Sequence, residues 1–199
     1  MSYLDRKEEF LSLMQQKLKP NRYQHSLNVA DAALELAKRN GVDEETAYIA
    51  GLLHDIEKNA PEEEQWKYMF QLGDPVPDAV KKNVKLWHGP AGAAFVRDEL
   101  GIVDADMVSA IKYHSIGHAG MTKLEKIIYT ADLISAERDY PDVENVRAAA
   151  LRDLDEGAFL GAQFTLQMLL SKWQPSNEDT LAMYNELAEV LEKKKEQTT

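Results

Sequence analysis

The chain has 199 residues, no cysteine and a formal net charge of −11. The missing cysteines exclude disulfides and thiolate metal sites. The charge argues against nucleic acid or an anionic membrane as a partner, since both call for basic surface. The length predicts one domain over residues 1–199, large enough to bury a core without covalent staples. The start "MSYLDRKEEFLSLMQQ" is amphipathic and lacks the apolar core of a signal peptide. No run approaches the roughly 18 apolar residues that a membrane span needs, so a reducing cytoplasm is the expected compartment. An anionic small molecule remains compatible with this acidity if positive charge is concentrated locally, and metal ions are the densest source of it.

Helical periodicity runs throughout, without the alternation of strands. "KPN" (Lys19 to Asn21) separates a first helix from a second that reaches about Arg39, with Gly41 as its stop. Asp43 caps a third helix containing "AGLLHDIEK" (Ala50 to Lys58), which "NAP" at Asn59 to Pro61 ends or turns. "GDPVP" (Gly73 to Pro77) is a break. "HGP" at His88 to Pro90 opens a helix that ends near Gly101. Asp104 caps a short helix reaching His114, and "SIGHAG" (Ser115 to Gly120) is a loop. "TKLE" (Thr122 to Glu125) is a capping box opening a long helix that Pro141 ends. Two or three helices follow, and "EKKKEQTT" reads as a fraying tail. The expected fold is an all-α bundle of about eight or nine helices.

Several polar side chains fall where this pattern is apolar. On the third helix His54 shares a face with Ala47, Ala50 and Gly51, residues small enough for another helix or a ligand to come close. Asp55 is turned about 100° from His54. Both can reach one point only if it lies beside the helix, between their two directions. Asp132 lies on or beside the stripe of Leu124 and Ile128. Offsets of three and four on either side of it hold Ile128, Tyr129, Ser135 and Ala136, so its partner must come from elsewhere in the fold. His25 begins a row with Val29, Ala32, Ala33 and Leu36. Any one of these histidines could simply bond a backbone carbonyl, and a lone aspartate could be a cap. Together, His25, His54, His88 and His114 with two aspartates form the imidazole and carboxylate set suited to iron, manganese, zinc or nickel.

His25, then His54-Asp55, then Asp132, each on a predicted helix, resembles the H…HD…D signature of the HD superfamily of metal-dependent phosphohydrolases. "RYQHSLNVA", "AGLLHDIEK", "LWHGPAGA", "AIKYHSIGHAGM" and "LEKIIYTADLISAERDYP" look like its YqeK branch, the bacterial symmetrical diadenosine tetraphosphate hydrolases. The resemblance covers roughly residues 20–150, leaving helices over 151–195 to complete the bundle. It departs at Glu57, where a small residue is expected, and at Ser135, Ala136 and Glu137, where something close to Glu-Pro-Gly is expected.

The resemblance implies two divalent transition-metal ions, with iron the first choice and manganese, cobalt or nickel the alternatives. His25, His54, Asp55 and Asp132 would hold one, and His88 and His114 the other, with Asp55 bridging. Water activated between the ions would cleave diadenosine tetraphosphate symmetrically into two ADP. Asp55 and Lys58 would be the catalytic pair. Lys58, His88, His114, Ser115 and Arg138 would meet substrate phosphates. His118 could be merely exposed or could protonate a leaving group. Trp66, Tyr68, Trp87 and Trp173 are expected in the core, although one of them, or Tyr23, could stack on a base. The alternatives are another HD-type nucleotide phosphohydrolase and a nucleotide-sensing module without turnover. The first and last helices could complete the bundle or cover a homodimer surface.

Overall fold

Local capping signals set most of the helix boundaries. The computed structural model describes residues 2–73 and 75–197. Among these, eleven α-helices follow in order: α1 (Lys7–Lys17), α2 (Pro20–Asn40), α3 (Glu44–Leu53), α4 (Glu62–Gln71), the single turn α5 (Asp78–Lys81), α6 (His88–Asp98), α7 (Ala105–Tyr113), α8 (Lys123–Ile134), α9 (Val143–Arg152), α10 (Leu154–Ser171) and α11 (Glu178–Glu196). Pro20 starts α2, where a missing N–H costs nothing. Gly41, at φ 65°, stops it. Asp43 and Asp104 accept backbone N–H bonds at the starts of α3 and α7. The Thr122–Glu125 capping box forms as the sequence predicts.

The helix count and three boundaries correct the sequence-based expectation. The bundle has eleven helices rather than eight or nine, because the chain breaks between His54 and Pro61 and α5 is separate. His54 and Asp55 do not lie within a helix. α3 ends at Leu53, and the next residues form tightened turns through Ile56 N to Leu53 O and Lys58 N to Asp55 O. α8 ends at Ile134, short of Pro141, because Ser135 is extended. Arg147 then donates to the freed carbonyls of Ile134, Ser135 and Arg138. The C-terminal tail continues α11 to Glu196, and Thr198 and Thr199 lie outside the described residues. So does Asp74 of the "GDPVP" break, although α4 does end at Gln71 and α5 does begin at Asp78.

The core sits where α2, α3, α7 and α8 meet, with α6 against α7 and α10 against α8. The small face of α3 does what its composition suggests. A Cβ on Gly51 would stand 3.0 Å from Ala30 Cα and 3.1 Å from Val29 O, so the backbones of α2 and α3 are in contact. At Gly89 a Cβ would lie 2.8 Å from Lys112 O, which brings α6 equally close to α7. These two approaches bring α2 close to α3 and α6 close to α7. Leu52, Leu53 and Ile56 are fully buried around His54, Asp55 and Glu57. Each apolar side chain contributes roughly 1.5–3 kcal/mol, which offsets the cost of burying polar groups in the same stretch.

The loop after His114 is held by α11. Thr180 Oγ1 donates to Ile116 O at 2.7 Å, Gly120 N donates to Glu186 Oε2 at 2.6 Å, and Met183 covers Gly117. Gly117 has φ 61°, and a Cβ there would overlap the Met183 sulfur.

Candidate metal centre

Six side chains converge from five stretches of chain. His25 comes from the second turn of α2, His54 and Asp55 from the turn after α3, and His88 from the first residue of α6. His114 follows α7, and Asp132 lies in the last turn of α8. The four histidines and Asp55 are buried, while Asp132 is partly exposed. His54 and His114 are set alike. Each follows its helix and turns Nδ1 to the carbonyl three residues back, Gly51 O and Ile111 O, at 2.7 Å. That bond meets an orphan carbonyl of the helix end and places the proton on Nδ1, which leaves the Nε2 lone pair facing the centre.

The two oxygens of Asp55 face different histidine pairs. Oδ2 lies 3.6 Å from His54 Nε2 and 3.8 Å from His25 Nε2. Oδ1 lies 3.2 Å from His88 Nε2 and 3.5 Å from His114 Nε2. Asp132 Oδ1 is 3.0 Å from His25 Nε2. Three ligand groups are close enough to hold an ion: His25–His54–Asp55, His54–His114–Asp132 and Asp55–His88–His114. No hydrogen bond reaches the buried atoms His54 Nε2 and Asp55 Oδ1 among the described residues. Buried polar atoms left without partners are costly. Their convergence, with imidazole and carboxylate donors, fits divalent metal.

Burial holds His54 at a pKa of about 3 and His88 at about 4, so both imidazoles are neutral and available to an ion near pH 7. Burial pushes Asp55 up, but His54, His114 and His88 outweigh it and keep the carboxyl well below its ordinary value. Asp132 is also held low. Burial raises it, and His25 with Arg138 more than reverses that.

Cations surround this cluster. Lys58 Nζ lies 3.0 Å from His88 Nε2 and 3.8 Å from Asp55 Oδ1, and burial lowers its pKa. Arg138 bonds Asp132 twice, through the carboxylate and, at 2.8 Å, through its backbone oxygen. Ser115 Oγ lies 3.1 Å from His88 Nε2 and 2.9 Å from His114 Nε2. The structure therefore brings together all nine residues singled out in the sequence.

Two further residues reach the cluster, Arg22 and Glu137. Arg22 Nη1 lies 2.7 Å from Asp55 Oδ2. Its position one helical turn before His25, on the same face, was the available signal. Glu137 accepts from His25 Nδ1 and is itself held by Asn28 and Ser135, so the departure at this position supplies a carboxylate that orients the imidazole. Glu57, the other departure, is fully buried against Lys17 Nζ at 2.7 Å. A cleft of about 330 Å³ opens beside the cluster and is lined by Arg22, His25, Glu137, Arg138 and Tyr140.

Three side chains differ from expectation. His118 neither stands free in its loop nor reaches the cluster. It pairs with Glu125 Oε1 at 2.9 Å and packs on Tyr113, and the Glu125 bond raises its pKa against the opposing effect of burial. Trp173 is 96% exposed and Trp66 is also exposed, rather than in the core.

The chain belongs to the HD domain family, whose model matches residues 22–137. Within that family, three curated relatives that are 34–40% identical carry the name symmetrical bis(5'-nucleosyl)-tetraphosphatase. The Bacillus subtilis enzyme of that name is 40% identical over 179 residues, covering 90% of this chain and 96% of the relative. The Halalkalibacterium halodurans enzyme is 39% identical, covering 92% and 97%. A crystal structure from Clostridium acetobutylicum, described as an HD superfamily hydrolase involved in NAD metabolism, superposes with a TM-score of 0.87 at 33% identity. It covers 92% of this chain and 97% of that one.

Proposed function

We propose that this chain hydrolyses diadenosine tetraphosphate symmetrically to two ADP, with His25, His54, Asp55 and Asp132 holding one divalent ion, and His88, His114 and the shared Asp55 a second. The observation that carries the two-ion reading is that each oxygen of Asp55 faces its own pair of histidines. Bound there, two ions would supply Lewis acidity, making water acidic and neutralising phosphate charge.

The remaining work falls to this chain's side chains. Lys58 and Arg138 flank the cluster on different sides and fix the substrate's negatively charged oxygens in place. Ser115 donates to a phosphate oxygen at the His88–His114 end. Glu137 is a positioning residue acting through His25, and Arg22 shares Asp55 with the ions as a competing cation. In the reaction, the oxygen of water bonds to an inner phosphorus and the anhydride bond between the two middle phosphates breaks. Each half then leaves as ADP.

Iron is the first choice of metal, and the same donors accept manganese, cobalt or nickel. The net charge of −11 favours a small anion over nucleic acid. No helix among the described residues is long and apolar enough to cross a membrane. With the absence of cysteine, this supports a cytoplasmic placement. The packing of α8 against both α2 and α10 supports one domain over residues 1–199.

The deciding experiment measures bound metals by elemental analysis, then resolves the products formed from diadenosine tetraphosphate by chromatography. ADP as sole product with about two ions per chain is the expected result. ATP with AMP would overturn the symmetrical reading, and bound metal without turnover would overturn the substrate.

A further inference from the structure

A second cleft, of about 270 Å³, lies between α4 and the stretch from Val76 to Lys81. Its walls are apolar and aromatic: Trp66, Met69, Phe70 and Val76, with Lys81 at the edge. Phe70 is 69% exposed and Trp66 38%, a costly display for two large rings on neighbouring turns of one helix. Their rings meet edge to face at 5.0 Å, and Trp66 also rests on Trp87 at 4.9 Å.

This cleft is built on the metal centre's immediate chain neighbours. Trp87 precedes His88 and is fixed by its indole N–H, which donates to Val80 O at 3.0 Å. Ile116 follows Ser115 and is buried in one apolar cluster with Met69, Val76 and Val80. Both connections lead to the His88–His114 end of the centre. The other cleft, lined by Arg22, His25 and Arg138, lies at the His25 end. A substrate with a nucleoside at each end of a phosphate chain needs two such exits.

We infer that the Trp66–Phe70 cleft is a subsite for one purine base of the substrate, seated by stacking. The inference rests on the hydrolase reading and specifies how that site holds its substrate. The volume decides what part of a nucleotide enters. Pockets for whole drug-sized ligands begin near roughly 300 Å³, so this one accepts a flat ring system and leaves ribose and phosphates outside. With no buried hydrogen-bonding group among the lining residues named, stacking provides the hold. It is tolerant of base identity, and guanine would be accepted nearly as well as adenine.

The test titrates ADP and, separately, pyrophosphate into metal-loaded wild type, Phe70→Ala and Phe70→Tyr, following binding by calorimetry and tryptophan fluorescence. Phe70 is exposed, so the variants keep the fold. The expected result is about tenfold weaker ADP binding in Phe70→Ala, a loss of one base stack. Recovery in Phe70→Tyr, with pyrophosphate affinity and metal content unchanged, completes that result. Equal ADP affinity in wild type and Phe70→Ala would overturn the subsite, as would equal loss of ADP and pyrophosphate. A shift in molecular mass of Phe70→Ala with ADP affinity intact would give the patch to a second copy of the chain, which also overturns it. If wild type binds ADP through Phe70 but does not cleave diadenosine tetraphosphate, the hydrolase reading fails and the base subsite stands.

Discussion

Arg22 and Asp55 form an ion pair of 2.7 Å on the oxygen that also faces His25 and His54. A permanent cation thus sits on the carboxylate proposed to hold both metal ions. An ion bound by that group must share Asp55 with the guanidinium and be repelled by it. Arg22→Ala is therefore expected to bind manganese more tightly, on the order of tenfold, equivalent to about 1.4 kcal/mol. It should also raise KM for the nucleotide. Metal titration followed by spectroscopy checks the first part. Weaker metal binding would mean that Arg22 orients Asp55 rather than competing for it.

Glu137 acts on the same ion from the far side of His25. Replacing its carboxylate with an amide weakens the bond that aims the imidazole. Glu137→Gln should lose roughly 10–100-fold in metal affinity, with turnover returning to near wild-type rate at saturating metal. A kcat that stays low at saturation would count against a positioning role.

Lys58 is placed to meet the developing phosphate charge, 3.0 Å from one imidazole and 3.8 Å from Asp55. Removal of one such preorganised donor typically costs about 10²–10³ in kcat. Lys58→Ala should show that loss with metal content preserved. An unchanged kcat under steady-state assay would remove Lys58 from the reacting phosphate.

Glu57 gives a stability signature. Burial raises its pKa from 4.5 to about 7, against the bond from Lys17, which lowers it. Because the folded state holds this proton more tightly than the unfolded chain, its stabilising contribution is full below about pH 4.5. The contribution is lost as pH rises through 7. Glu57→Gln keeps the shape and never ionises. Its melting temperature should overtake that of wild type as pH climbs from 5 to 8, with a limiting difference of about 3 kcal/mol. Parallel melting curves across that range would refute this.

Helix starts were legible because their signals are local: Pro20, Asp43, Asp104 and the Thr122–Glu125 box each act within one turn. Two helix ends were not. α3 stops at Leu53 with the His54 ring, just beyond it, turned back on Gly51 O. The carbonyls at the end of α8 are taken by Arg147, which lies 12 and 13 residues from Ser135 and Ile134. The six candidate ligands could be read from residue type and order. Glu137 could not, since it meets His25 across 112 positions and nothing nearby marks it. Arg22 joins Asp55 across 33 positions, and only its spacing from His25 hinted at a role.

The brace from α11 onto the loop of Ser115 ties the proposed chemistry to the far end of the chain. Thr180 reaches Ile116 across 64 positions and Glu186 reaches Gly120 across 66, and neither is among the six candidate ligands. A chain clipped before Thr180 would keep all six candidate ligands and lose the support that aims Ser115 at His88 and His114. Such a fragment is expected to take up metal and turn over slowly, so ion content alone is a poor gauge of working enzyme.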